Sequence, residues 1–249
     1  MLEGKTAFVT GGTGAVGSAV VRVLAREGAA VAYSYHTGAE KAQRLDAELR
    51  AAGARVWSYP LEVLDGAASA ALARQIERDA GAVDILVNNA GVTQVMPFAL
   101  IEEDDWDRVM DVNVRSVFSL TNRVVRSMKE TGGGRIVNTA SLLSEIGVAL
   151  IPAYAASKGA IRQLTKAWAV EWAKYNIRVN AIGPGYMRTE MTESLYHDVE
   201  RYNKVMSRVA IKRWGTSEDV KGAVVFLASR ASSYITGQVI YVDGGWLAG

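Results

Sequence analysis

A single α/β domain with a doubly wound parallel sheet (a Rossmann fold) is the fold that this sequence predicts. Short runs of β-branched and apolar residues recur along its 249 residues, and segments with helical spacing separate most of them. Strands that alternate with helices form βαβ units, and the helices then cover both faces of a parallel sheet. The chain has no linker rich in Pro, Gly or Ser, so one domain over residues 1–249 is the simplest organisation.

About seven strands are expected, because each apolar run has the length of a buried strand. The runs are Lys5–Thr10, Ala29–Tyr35, Ala54–Tyr59, Asp84–Asn88, Arg135–Thr139, Ile177–Ile182 and Gln238–Val242. The first three begin at residues 5, 29 and 54, so each interval accommodates one strand, one helix and short loops.

Composition and charge exclude several classes of protein. Lys and Arg number 28 and Asp and Glu 26, and neither sign forms a block typical of a nucleic-acid-binding arm. Because the chain has no cysteine, disulfides, thiolate metal sites and thiol nucleophiles are ruled out. The first ten residues do not resemble a signal peptide, and no apolar run of about 18 residues could span a membrane. We therefore expect a cytoplasmic protein without nucleic-acid or membrane partners.

A glycine-rich loop directly follows the first predicted strand. Residues Gly12–Gly17 match the pattern G-x-G-x-x-G, and a helix is expected to open at about Val16. Glycines in this context allow a tight turn, the approach of a pyrophosphate to the backbone and close packing of helix on strand. Free amides and the helix dipole then bind phosphate. The loop predicts a dinucleotide site, although a glycine turn without a ligand has the same pattern. The expected contacts are Gly11, Thr13, Gly14, Ala15, Val16 and Gly17.

The end of the second strand bears on the choice between NAD and NADP. An acidic residue there would bond the ribose 2′-hydroxyl of NAD, but no acid occurs before Glu40. His36, Thr37 and nearby amides could donate to a 2′-phosphate, whereas no arginine stands there to clamp it. We predict NADP(H) as the cofactor and keep NAD as the alternative.

Tyr154 and Lys158 open a segment with helical spacing, and their i to i+4 separation places them on one face. A nearby ammonium stabilises a phenolate and lowers its pKa toward the range that a general acid/base requires. In isolation the pattern Y-x-x-x-K also occurs by chance on amphipathic helices. The pair is therefore a candidate catalytic centre that needs further support.

Four further segments with recognisable motifs occur around this pair in a characteristic order. Val87–Gly91 ends the fourth strand, Asn113 lies within Asp111–Val114, Ser141 follows the fifth strand, and Pro184–Gly185 follows the sixth. With these motifs the chain resembles the short-chain dehydrogenase/reductase family in its compact form, from Gly4 to Gly245. Coincidence does not explain so many motifs in one order.

The resemblance implies a role for each of four residues. Tyr154 would exchange a proton with the oxygen of a ketone or secondary alcohol, and Lys158 would lower its pKa and bond the nicotinamide ribose. Ser141 would orient and polarise the carbonyl, and Asn113 would help hold a water that links the lysine to solvent. Hydride would pass directly between nicotinamide and carbonyl carbon, so no metal is expected.

The resemblance also implies the remaining cofactor contacts and an assembly. Two departures from the family pattern are Ala15, which stands at a usual glycine, and Glu62, which stands at the usual Asp beside the adenine ring. Helices around residues 113–129 and 154–174 would pair across subunits in a homotetramer. The remaining implied cofactor contacts are Glu62, Val63, Asn89, Ala90, Gly91, Pro184, Gly185, Met187 and Thr189.

Residues 186–213 are expected to form a substrate lid. This segment carries aromatic residues and methionines, which suit an apolar substrate, and also Arg188, Lys204 and Arg208, which suit a carboxylate or phosphate. The first half of the chain resembles reductases of 3-oxoacyl thioesters carried by acyl carrier protein, coenzyme A or polyketide synthases. The later half is similar to sugar-acid dehydrogenases of the gluconate 5-dehydrogenase type.

The favoured prediction is reduction of a 3-oxoacyl thioester of acyl carrier protein, coenzyme A or a polyketide, with a sugar acid or other polyol as the alternative substrate. Exposed cations at Arg123, Arg126 and Lys129 could attract an acidic carrier, although a solvated helix face explains them equally well. A non-catalytic NADP sensor is disfavoured because Ser141, Tyr154 and Lys158 are all present. A nucleotide-sugar epimerase or dehydratase is disfavoured because such enzymes usually carry a larger C-terminal domain.

Overall fold

The computed structural model describes all residues, 1–249, and confirms the predicted fold class. Seven parallel strands form one sheet in the order β3-β2-β1-β4-β5-β6-β7. The strands are β1 Thr6–Val9, β2 Ala30–Tyr35, β3 Val56–Pro60, β4 Ile85–Asn88, β5 Gly134–Thr139, β6 Ile177–Pro184 and β7 Val239–Val242.

Nine α-helices lie on the two faces of the sheet and beyond its edge. They are α1 Ala15–Arg26, α2 Ala39–Ala51, α3 Gly66–Ala80, α4 Glu103–Met110, α5 Ser116–Glu130, α6 Pro152–Trp172, α7 Glu193–His197, α8 Val199–Arg208 and α9 Lys221–Ala228. A π-helical segment, Asp111–Arg115, joins α4 to α5. None of the helices is long and apolar enough to cross a membrane.

Alternation along each strand divides the core between the two faces. In β1, Ala7 and Val9 pack toward α1, α2 and α9, whereas Phe8 packs toward α3, α5 and α6. Successive side chains of a strand point to opposite faces, so strands covered on both sides are apolar throughout. The stacked rings of Trp168 and Trp172 on α6 lie 5.4 Å apart in the second of these core layers.

Chain order reverses at β1, which lies between β2 and β4. In open parallel sheets, the crevice at such a switch point, beyond the carboxyl ends of the strands, is where ligands bind. The loops that follow β1, β4, β5 and β6 all meet at this edge. The fold thereby brings together residues that lie up to about 170 positions apart in the sequence.

Candidate active site

A cleft of about 520 Å³ opens at this edge of the sheet. Every residue that the sequence proposed for catalysis or for cofactor binding lines the cleft, with the exception of Asn113. The glycine loop and the ends of β2 and β3 line one part, and Ser141, Tyr154 and Lys158 line another. The cleft therefore combines a site for a dinucleotide with a site for proton transfer.

The glycine loop is shaped by contacts that a side chain would prevent. A Cβ atom on Gly17 would lie 2.1 Å from the Gly11 carbonyl oxygen, and a Cβ atom on Gly12 would lie 2.4 Å from the Tyr33 ring. Helix α1 begins at Ala15, and its N-cap, Gly14, has no side chain to bond the first amides. Those amides and the positive end of the helix dipole are free to bind an anion, so the loop fits a pyrophosphate.

One buried hydroxyl beside the cleft has no hydrogen-bond partner. Thr139 Oγ1 is unpaired in the protein, and Thr139 lines the cleft beside Ser141. Buried polar groups are rarely left unpaired, because desolvation without a hydrogen bond is costly.

At the end of β2 the structure corrects the assumption that no acid lies nearby. His36 Nε2 is 2.9 Å from Glu62 Oε2, which follows β3. Parallel pairing of β2 with β3 brings the two residues to the same edge, although they are far apart in sequence. A cationic His36 would compensate the Glu62 carboxylate, so a 2′-phosphate would meet a paired acid rather than a free one.

The candidate catalytic residues come from α6 and from the end of β5. Lys158 is 4% exposed, and its Nζ donates a hydrogen bond of 2.7 Å to the Thr139 carbonyl oxygen. The same Nζ lies 5.4 Å from the centre of the Tyr154 ring. Ser141 follows β5, and its hydroxyl lies close enough to that of Tyr154 to act on the Tyr154 pKa. The three side chains therefore converge on one point of the cleft, as the spacing of Tyr154 and Lys158 predicted.

The two pKa values do not both follow the expected direction. Burial raises the pKa of Tyr154 to about 12, and the nearby Ser141 hydroxyl offsets only part of this effect. Burial also lowers the pKa of Lys158 to about 8. The prediction that the ammonium lowers the pKa of Tyr154 is thus outweighed by desolvation, which disfavours both charged forms. At neutral pH Tyr154 is a protonated acid beside a largely protonated lysine.

Asn113 lies behind the cleft rather than in its wall. Its Oδ1 accepts a hydrogen bond from Val92 N at 2.8 Å, and its Nδ2 donates to Val92 O and to Ser157 Oγ. Asn113 sits in the π-helical segment, and such segments are frequent at functional sites. The side chain therefore ties the loop after β4 to α6, and does not bond the backbone of its own helix.

A buried polar network that the sequence analysis missed supports the same helix. Asn88 Nδ2 donates to Thr121 Oγ1 and to Asn138 Oδ1, and Asn138 Nδ2 donates to Thr165 Oγ1 at 2.9 Å. All four side chains are at most 3% exposed. A signal was available, since Asn138 interrupts the apolar run of β5. Asn89 is a brace too, because its amide donates to the Thr10 and Gly11 carbonyls.

The lid segment departs from the expectation of a free apolar surface. Its aromatic side chains pack on one another and on Trp214 and Trp246, with ring centres 4.8–6.0 Å apart. We call this group, Tyr186, Tyr196, Tyr202, Trp214 and Trp246, the lid cluster. Two of the three lid cations are also occupied, since Arg188 stacks on Tyr196 and Arg208 on Trp246. The aromatic content therefore serves the packing of the lid itself.

The doubly wound sheet, the glycine loop and the tyrosine–lysine pair together define an oxidoreductase that uses a nicotinamide cofactor. A family model described as enoyl-(acyl carrier protein) reductase matches residues 12–247. The chain belongs to the short-chain dehydrogenase/reductase family, and it is an enzyme that interconverts an alcohol and a carbonyl group.

Individual relatives are similar over nearly the whole chain. The 2-dehydro-3-deoxy-D-gluconate 5-dehydrogenase of Bacillus subtilis is 43% identical over 252 residues, covering 99% of this chain and 96% of the relative. The 5-keto-D-gluconate 5-reductase of Escherichia coli is 38% identical over 246 residues, with coverage of 99% and 96%. The relatives favour the sugar-acid alternative over the thioester substrate that the sequence analysis ranked first.

A solved structure agrees in fold as well as in sequence. The gluconate 5-dehydrogenase of Burkholderia cenocepacia, in complex with NADP and tartrate, superposes with a TM-score of 0.95 at 38% identity, over 100% of this chain and 97% of that one. Similarity of this extent includes every element that lines the cleft.

Proposed function

We propose that this enzyme interconverts the C5 ketone and the C5 alcohol of a sugar acid with NADP(H). The observation that carries the proposal is the match, over nearly the whole chain, to enzymes named for reactions at C5 of gluconate and 2-dehydro-3-deoxygluconate. These substrates share a carboxylate at C1 and a reacting carbon at C5. The lid supports the same choice, because its tyrosines pack in the lid cluster and do not line the cleft.

Tyr154 is the proposed proton donor to the ketone oxygen. Its hydroxyl is protonated at neutral pH, because burial raises its pKa to about 12. Ser141, which lines the cleft beside Tyr154, would donate a second hydrogen bond to the same oxygen. Loss of the proton leaves a phenolate, which the neighbouring Lys158 ammonium stabilises. Lys158 itself is held in place by its bond to Thr139 O.

We assign the cofactor to the glycine loop and the ends of β2 and β3. When bound, NADPH supplies the hydride that reduces the carbonyl carbon. The first amides of α1 would hold its pyrophosphate, and His36 with Thr37 would face the 2′-phosphate. Asn113 is a positioning residue, since its bonds to Val92 and Ser157 set the loop after β4 against α6.

Two further proposals concern the lid and the assembly. Residues 186–213 would act as the substrate lid within a single domain, because Met187 and Thr189 line the cleft while α7 and α8 lie outside the sheet. A homotetramer paired through α5 and α6 would cover apolar side chains that are now exposed, namely Phe118 at 51% and Val170 at 83%.

A panel of substrates and cofactors tests the proposed function. We expect the highest kcat/KM with NADPH and 5-keto-D-gluconate, and a much lower value with acetoacetyl coenzyme A. Oxidation of 2-dehydro-3-deoxy-D-gluconate with NADP⁺ is the reverse arm. Turnover of the thioester without turnover of either sugar acid would overturn the proposal, and equal rates with NADH would overturn the assignment of His36 and Thr37.

A further inference from the structure

One cation in the cleft has no partner in the protein. Arg108 on α4 lines the main cleft and also an adjoining pocket of about 440 Å³. Val112, four residues later, lines the main cleft too, as expected for one helical face. The side chain of Arg108 is exposed and forms no ion pair or hydrogen bond. By contrast, Arg115 in the π-helical segment that follows α4 pairs with Asp111.

The acids that line these two cavities contact residues other than Arg108. Glu190, which lines the same two cavities, forms an ion pair with Lys41. Asp105, one turn earlier on α4, accepts a hydrogen bond from the Glu102 amide and caps its own helix. The guanidinium of Arg108 is therefore the charge in this part of the cleft that has no internal counter-ion.

The lid cations do not meet the same requirement. Arg188, Lys204 and Arg208 do not line the cleft, and the two arginines stack on lid-cluster rings. Lys158 lines the cleft but is committed to Thr139 and Tyr154. Of the permanently charged cations that line the cleft, Arg108 alone is available to an anionic substrate.

We propose that Arg108 binds the carboxylate of the substrate and so selects sugar acids over neutral ketoses. This inference rests on the proposed function and adds to it the residue that determines specificity. Helix α4 packs against α6, which carries Tyr154, so the two ends of a short sugar acid can meet Arg108 and Tyr154 together. A guanidinium bonds a carboxylate through two parallel N–H···O bonds, which fixes orientation as well as charge.

Substitution of Arg108 tests the assignment in kinetics. Arg108→Gln is expected to raise KM for 5-keto-D-gluconate roughly 10- to 100-fold, the usual size of a charge-assisted hydrogen bond, with kcat changed less than about threefold. For the neutral 5-keto-D-gluconamide, KM of the same variant should equal that of the wild type. Arg108→Lys should recover part of the loss. Arg74→Gln, at an exposed arginine on α3, is the matched control and should change neither constant.

A binding measurement separates this inference from the proposed function. Titration of D-gluconate and D-gluconamide into the NADP⁺-loaded protein should show weaker gluconate binding in Arg108→Gln and equal amide binding. If the wild type reduces 5-keto-D-gluconate and Arg108→Gln keeps the same KM, only the assignment of Arg108 falls. If the wild type neither reduces 5-keto-D-gluconate nor binds D-gluconate, the proposed function falls and Arg108 loses its ligand.

Discussion

The two sides of the cleft are built by different kinds of interaction. On the α6 side, Lys158 is held by a directional hydrogen bond to Thr139 O, and polar residues beneath it bond one another across β4, β5 and α6. The lid cluster on the other side is held by contacts between aromatic rings. Its two indole nitrogens, Trp214 Nε1 and Trp246 Nε1, are buried without a partner.

This difference separates chemistry from substrate selection. Hydrogen bonds fix a side chain in distance and angle, and a displaced donor loses most of its bond. Ring packing falls off more gradually, so rings can slide with little loss. The α6 side therefore keeps the reacting groups in place, while the lid cluster can adjust over a bound substrate.

The strongest test of the α6 side is Tyr154→Phe, which removes only the hydroxyl. Loss of a general acid lowers kcat by about 100- to 10,000-fold, and we expect a loss at the upper end of this range for ketone reduction. NADPH binding, measured by fluorescence titration, should stay within a few fold of the wild type. Tyr234→Phe, at a fully exposed ring, is the control. A kcat within tenfold of the wild type would contradict the role of Tyr154.

A second test measures how much the burial of Lys158 lowers the stability of the protein. The pKa of Lys158 falls from 10.5 to about 8 on folding, so the unfolded chain binds more protons between these values. The free energy of unfolding of the wild type therefore rises with pH in this window. Below pH 8 the buried ammonium costs up to about 3 kcal/mol.

Lys158→Met should remove this cost together with the activity. Urea unfolding at pH 7 and at pH 9.5 should show that the stability of the variant, relative to the wild type, decreases by about 2 kcal/mol between the two values. The variant also loses the hydrogen bond to Thr139 O, but that loss is the same at both pH values. The change in relative stability between the two pH values therefore reports on the Lys158 pKa. Lys166→Met, at an exposed lysine of the same helix, is the control, and its stability should change with pH as that of the wild type does. Parallel curves for Lys158→Met would refute the lowered pKa.

The sequence predicted the sheet well because each strand is buried on both faces. Continuous apolar runs located all seven strands, and the largest errors were at β3, which begins at Val56 rather than Ala54, and at β6, which continues through Pro184 rather than ending at Ile182. Gly183 extends the strand because the Tyr241 ring occupies the place of its side chain. Such a contact between β6 and β7 has no signature in the local sequence.

Features that depend on side-chain partners far along the chain were not predictable. The pairing of His36 with Glu62 requires the register of β2 on β3. Arg108 looked like an ordinary surface arginine, because its lack of a partner is visible only when Glu190 and Lys41 are paired in space. Motif residues were found because a family resemblance located them, whereas the residue proposed for specificity lies outside every motif.

The smallest expected effect tests the lid cluster. Trp214→Phe removes an indole N–H that has no partner and keeps an aromatic ring, so relief of the unpaired group offsets the lost packing, and we expect stability within about 1 kcal/mol of the wild type. Thr165→Val is the matched change on the α6 side. It leaves the Asn138 amide, which now donates to Thr165 Oγ1, without an acceptor, at a cost of about 1–3 kcal/mol. Urea unfolding of both variants measures the contrast. Equal losses of stability in the two variants would contradict the contrast between the two sides of the cleft. The Trp214 indole N–H would then contribute as much to stability as the hydrogen bond of the Asn138 amide.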